Sequence, residues 1–327
     1  MHQREAGHAA AKVHSPRDTT RSLALAREIG DRQGEALATT NLGHVACSLD
    51  RFAEAEAQHQ RSLALSREIG DRRGEATAMG DLGNVWYALG RLADARAQLE
   101  RSLDVRRDVG DWPGATVSLN NLGPLRLYLG DRAGAQRDLA ASLAICREIR
   151  ARYSEGYAIF GLASVVEEGG DPVGALRLAE ESLSLRRELG HEDGAADSLQ
   201  QVARLRCLVG DPEGARAAAE EALSFARGQG TSAEVAFCLA FLATLPGGDE
   251  QVAEVALLAA GDTVSGRDAM SIRFLLWHAT RDRAHLTEAK RLLDLLVEHA
   301  PPECREPMLT NVRLHREIVA AAKEHGL

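Results

Sequence analysis

The sequence predicts an all-α solenoid of antiparallel helix pairs, and three observations predict it. Like residues recur in columns 40 positions apart, as in Ser22-Leu23, Ser62-Leu63, Ser102-Leu103, Ser142-Leu143 and Ser182-Leu183. A second set of columns runs through Leu42-Gly43, Leu82-Gly83, Leu122-Gly123, Leu162-Ala163, Val202-Ala203 and Leu242-Ala243. Within each 40-residue unit apolar residues keep helical spacing, and glycines punctuate the units instead of clustering after strands. Because each unit of such an array packs only on its neighbours, the chain offers a long surface and not one chemical centre.

The first helix of a unit carries the stripe Ala78, Leu82, Val85 and Leu89, matched by Ala38, Leu42, Val45 and Leu49 before it and by Ser118, Leu122, Leu125 and Leu129 after it. Gly90, Gly130, Gly170 and Gly210, with Asp50 in the same column, mark its end, as expected where a helix closes on a left-handed residue. Asp171-Pro172 and Asp211-Pro212 then restart the chain as an acidic N-cap followed by a proline at the first helical position. Along the second helix Leu92, Ala95, Leu99 and Leu103 hold the spacing, and Ala55, Ala95, Ala135, Ala175 and Ala215 form a small-residue column that lets helices approach closely. Gly30, Gly70, Gly110, Gly190 and Gly230 close the unit.

This combination, Leu-Gly on the first helix and small residues on the second, resembles the tetratricopeptide repeat family across residues 35–230. The resemblance implies a right-handed superhelix whose concave face holds a protein or an extended peptide. Two features depart from the family pattern. The period is 40 instead of 34, and arginines 67, 107, 147, 187 and 227 stand where a proline usually closes the second helix. Units of 40 residues are similar to those of kinesin light chains, cell-polarity scaffolds and the sensor regions of bacterial multidomain regulators.

The expected organisation is a ragged segment at 1–20 and an array at 21–245, made of a half repeat at 21–30, five full repeats at about 35–230 and the start of a sixth. Degenerate helical repeats at 246–327 are expected to act as a C-terminal cap. Within the last part, 306–318 resembles the segment that closes repeat regions in large bacterial kinases, cyclases and signalling ATPases. The half repeat has no first helix to cover its apolar face, so self-association through residues 16–30 is expected.

Composition narrows the function. The chain of 327 residues is 45% hydrophobic and 4% aromatic, and its net charge of −9 argues against nucleic acid, whose binding needs clustered positive charge. All but three of the 39 basic residues are arginine, which points to a GC-rich bacterial genome. Five widely spaced cysteines give neither a disulfide framework nor a zinc spacing and fit a cytoplasmic location. Residues 1–15 lack the apolar core of a signal peptide, and no apolar run reaches membrane-spanning length. No phosphate-cradling loop or nucleophile elbow is present, so no catalytic residue and no cofactor is expected.

Assigning the apolar stripe inward leaves the opposite face of the first helices as the concave lining. The candidate ligand-binding residues there are Asn41, His44, Asp81, Asn84, Tyr87, Asn121, Tyr128, Tyr157, Phe160, Gln201 and Arg204. Side-chain amides both donate and accept, which suits them to hold a peptide backbone without reading its sequence. The family places asparagines immediately before Leu-Gly, and that resemblance carries over to Asn41 and Asn121, with Asp81 a departure. Pro124 falls inside a helix, where it removes a hydrogen bond and is expected to bend the helix near Asn120. The arginine column is expected to face the negative end of each helix dipole. His44 and Cys47 share a helix face three residues apart, but no further ligands converge on them in the sequence, and no metal is expected.

Overall fold

The computed structural model describes residues 16–49, 51–229, 231–261 and 264–327; the expectations for residues 1–15 and for Asp50 and Gly230 lie outside them. Among the described residues there are helices and no strands. The order is α1 Pro16–Glu28, α2 Arg32–Ser48, α3 Phe52–Glu68, α4 Arg72–Ala88, α5 Leu92–Asp108, α6 Trp112–Tyr128, α7 Arg132–Ile149, α8 Arg152–Glu168 and α9 Pro172–Glu188. There follow α10 Glu192–Leu208, α11 Pro212–Gln229, α12 Ser232–Ala243, α13 Glu250–Ala260, α14 Gly266–Thr280, α15 Arg283–Glu298, a 3₁₀ turn Pro302–Cys304, α16 Arg305–Asn311 and α17 Arg313–Glu324. Consecutive helices pack as antiparallel pairs, and the even-numbered helices α2, α4, α6 and α8 also touch in series. The molecule is an all-α superhelical solenoid.

The turns explain the sharpness of the repeat. Gly30, Gly70, Gly110 and Gly190 have φ between 65° and 72°, a region closed to most side chains. At the first of these the Asp31 N–H reaches back to Ala26 O at 2.8 Å, satisfying a carbonyl at the helix end. Asp31 then turns its carboxylate to accept from Gly34 N at 2.9 Å, so one dipeptide ends α1 and starts α2. Asp71, Asp111, Asp131, Asp171 and Asp211 repeat the arrangement with glycines 74, 114, 134, 174 and 214.

Inside the pairs, Ser62, Ser102, Ser142 and Ser182 are buried. Each hydroxyl donates to a carbonyl 26 residues earlier on the partner helix, Ser102 to Ala76 O at 2.7 Å and Ser182 to Gly156 O at 3.0 Å, with longer bonds from Ser142 and Ser62. The alanines at 55, 95, 135, 175 and 215 have no exposed surface. The arginine column does more than face the helix dipole, since Arg27, Arg67 and Arg147 reach across the turn to Glu35, Glu75 and Glu155 at 2.9 to 3.0 Å. Glu35, almost without exposed surface, also receives Arg32 and Arg61, and these guanidiniums, Arg27 foremost, hold its carboxyl below the usual range.

The C-terminal segment does not stay at the end of the stack. α12, α13 and α14 continue from α11, but α14–α17 share one core with α5 and α6 that joins Leu92, Leu99, Leu122 and Leu125 to Met270, Phe274, Leu293 and Ile318. Asn311 donates to Gly130 O at 3.0 Å, the Arg313 N–H donates to Glu168 at 3.0 Å, and Arg96 pairs with Glu303. One column of the repeat records this return. Leu49 and Leu89 are 52% and 44% exposed at their helix ends, contrary to the inward position their stripe implies, whereas Leu129 is 1% exposed inside the shared core.

Candidate binding face and cavity

The even-numbered helices bring the expected lining residues to one side of the array, but these residues divide by what they touch. Asn41 and Asn121 are half-buried and Asn84 is exposed; among the described residues their amides form no hydrogen bond. The remaining candidates are engaged within the chain. His44 Nε2 lies 3.1 Å from Asp81 Oδ2, and the Gln201 amide donates to Ser164 Oγ at 2.8 Å. Tyr157 and Phe160 both stack on the guanidinium of Arg186, at 4.6 and 4.7 Å from its carbon to the ring centres. Arg204 pairs with Glu167, which also receives Arg313 from α17 at 3.0 Å.

Tyr87 and Tyr128, expected on an open groove, lie beneath the returning helices. The Arg267 guanidinium of α14 sits 4.5 Å above the Tyr87 ring. Tyr128 meets His315 of α17 edge-on at 4.8 Å, and its buried hydroxyl has no hydrogen-bond partner. Burial pushes the Tyr128 phenol far above its ordinary value and lowers the His315 imidazole to about 4.

Between α6, α8, α10 and α12 on one side and α14 and α17 on the other lies a cavity of about 430 Å³. Tyr128, Phe160, Phe241, Phe274 and Leu314 give it apolar walls, and Glu167, Glu168, Arg204 and Arg313 give it charged groups. That volume falls within the range of pockets that enclose small molecules or a few peptide side chains. Pro124 lines it from within α6, which runs unbroken from Trp112 to Tyr128. Tyr128, Phe160 and Arg204 were legible as lining residues from their columns. Phe274, Leu314 and His315 were not, because no column links them to the array, and Phe241 was passed over although it stands in the column of Asn41, Asn121 and Gln201.

A second cluster joins His44 of α2 and Asp81 of α4 to His59 of α3. His59 has its side chain almost wholly buried, 3.6 Å from the Asp81 carboxylate, and neither ring nitrogen has a hydrogen-bond partner. The sequence pairs His44 with Cys47; the structure brings it instead to a histidine and a carboxylate on two other helices, with all three ligand atoms within 4.8 Å of one another. Burial lowers the His59 pKa, favouring the neutral ring, while the hydrogen bond to Asp81 raises that of His44.

The stacked pairs, their small-residue contacts and their concave lining define a helical-repeat scaffold. The tetratricopeptide repeat model matches residues 34–108 and 74–148, so this part of the chain carries tetratricopeptide repeats. No curated protein sequence matches the chain. Several solved structures share the fold at low identity. The Rap conjugation gene regulator of the plasmid pLS20, in complex with the Phr* peptide, is similar with a TM-score of 0.67 at 12% identity, over 92% of this chain and 79% of that one. BtubC from P. vanneervenii is similar with a TM-score of 0.53 at 16% identity, over 68% of this chain and 93% of that one. The signal transduction ATPase with a tetratricopeptide repeat sensor from Pyrococcus horikoshii gives 0.54 at 14% identity over 95% of this chain, which spans only 45% of that protein. Among the described residues no helix is long and apolar enough to cross a membrane.

Proposed function

We propose that the chain is a non-catalytic receptor for a protein segment or extended peptide, working in the cytoplasm of a bacterium in signalling or regulation. The observation that carries this reading is the cavity of about 430 Å³ with aromatic walls, which begins at α6, the helix that also carries the unpartnered Asn121. An extended backbone would lie across Asn41, Asn84 and Asn121, whose amides are free to donate and accept, and apolar side chains would enter beside Phe160 and Phe241. The likeness to a Rap regulator solved with a peptide supports the same reading.

The test is a partner captured by the wild-type chain and measured against Asn41→Ala/Asn121→Ala and against Phe160→Glu. The asparagine pair should weaken binding about tenfold without changing the melting temperature, since each lost hydrogen bond contributes about 0.5–1.5 kcal/mol. Unchanged affinity in the pair would remove the asparagine ladder, and unchanged affinity in Phe160→Glu would remove the cavity. A second reading, a sensor region that restrains a kinase, cyclase or ATPase domain, is favoured by the likeness to the Pyrococcus horikoshii sensor protein. A reading frame that continues upstream of Met1 into such a domain would support it, and an independent start would oppose it.

A further inference from the structure

We propose that His44, His59 and Asp81 form a binding site for one divalent transition-metal ion of the zinc class, at the junction of the first two full repeats. The site stands apart from the cavity and from the peptide reading. Its first support is the repeat itself, because two of these residues break their columns. His59 occupies the place of Leu99, Leu139, Ala179 and Ala219, three of which have no exposed surface and the fourth almost none. Asp81 carries a charge where Asn41, Asn121 and Gln201 carry amides, and His44 stands where its column reads asparagine, proline, serine and arginine. The fold brings all three to one point.

The second support is the state of His59. A buried polar ring with both nitrogens unpartnered is costly, and a leucine would serve the packing role better, as the other repeats show. The Gly43 Cα lies against this ring so closely that any side chain on residue 43 would collide with it. The close approach fixes the imidazole beside Asp81.

The third support is distance. Two donors held about 2.0–2.2 Å from a tetrahedral ion lie about 3.4 Å apart. His44 Nε2 and His59 Nδ1 stand 3.1 and 3.6 Å from the same carboxylate oxygen, Asp81 Oδ2. The two histidine nitrogens lie within 4.8 Å of each other, and a swing of the half-exposed His44 ring closes that gap. Imidazole and carboxylate donors suit zinc and its neighbours in the first transition row. Three protein ligands leave one position, on the His44 side, open to solvent. The nearby Arg106 exerts its charge on Asp81 but spends its hydrogen bond on Gly114 O, so it does not take the carboxylate's place in the cluster.

Full-length protein stripped with chelator and dialysed should bind one equivalent of Zn²⁺ by calorimetry, and Co²⁺ should give the intense visible d–d band of a tetrahedral site. Zn²⁺ should also raise the melting temperature. Three variants copy residues that other repeats already accept: His59→Leu, Asp81→Asn and His44→Asn. Each should keep the helical circular dichroism of the wild type and bind Zn²⁺ about 100-fold more weakly, and His59→Leu should melt at or above the metal-free wild type. Absence of stoichiometric Zn²⁺ or Co²⁺ binding by the wild type would overturn the proposal. So would binding that all three variants retain, because the ion would then sit elsewhere, for example on His2, His8 and His14.

Discussion

His315 shows what one buried side chain imposes. It has no exposed surface, its Nδ1 lies 3.0 Å from Met308 O, and its Nε2 is buried without a partner against the Tyr128 ring. Only the neutral ring fits there, with the proton on Nδ1. Burial brings the folded-state pKa to about 4, against 6.5 for the unfolded chain. The unfolded state therefore binds the proton first as the pH falls. Stability from this residue is fully present above pH 6.5 and is lost as the pH drops toward 4, by roughly 3 kcal/mol in total. Urea titrations at pH 7 and pH 4.5 should show this loss in the wild type and a smaller slope in His315→Leu. A slope unchanged in the variant would place the acid sensitivity elsewhere.

At the scale of one helix, the glycines just past the middle of α4 and α6 set how closely neighbours pack. A Cβ at Gly83 would come within 2.6 Å of Leu99 Cγ, and one at Gly123 would strike Leu139. Alanine at 83 raises helix propensity by about 1 kcal/mol, yet it must displace a leucine with no exposed surface, which costs about 1–3 kcal/mol. Gly83→Ala should therefore lower the denaturation midpoint, and Gly83→Ala with Leu99→Ala should recover part of the closeness while leaving less apolar burial. These contacts were legible in the sequence, because the glycine and leucine columns recur with the helical period. Six of the N-caps were legible too, since Asp-x-x-Gly recurs at 31, 71, 111, 131, 171 and 211. His59 was not: its column is apolar elsewhere, and a single exception carries no period. Nor was the cover over Tyr87 and Tyr128, because contacts between helices two hundred residues apart leave no mark in local spacing.

At the scale of the molecule, the two ends of the array are unlike. α1 leaves Leu25 and Ile29 exposed, and Leu37 of α2 extends the same apolar surface. We expect dimers or larger species at this end, seen by light scattering after size exclusion, and Leu25→Glu/Ile29→Glu should shift them to monomer with unchanged helicity. If the variant and the wild type have the same mass, this face makes no self-contact. The other end folds back, so that Phe274, Leu293 and Ile318 complete a core begun by Leu92 and Leu125. The lining expected from the repeats is consequently divided into an open stretch near Asn41 and Asn84 and an enclosed stretch near Phe160.

That return matters for how the chain is made. An open solenoid is finished repeat by repeat as it leaves the ribosome, each new pair closing over the last. Here the apolar side of α5 and α6 is synthesised early and its cover comes last. Between Gly130 and Leu327, at about 5–20 residues per second, roughly 10–40 s pass in which Leu92, Leu122 and Leu125 have no C-terminal partner. A nascent chain stalled before residue 266 would present this surface to chaperones, and release of the last sixty residues would withdraw it.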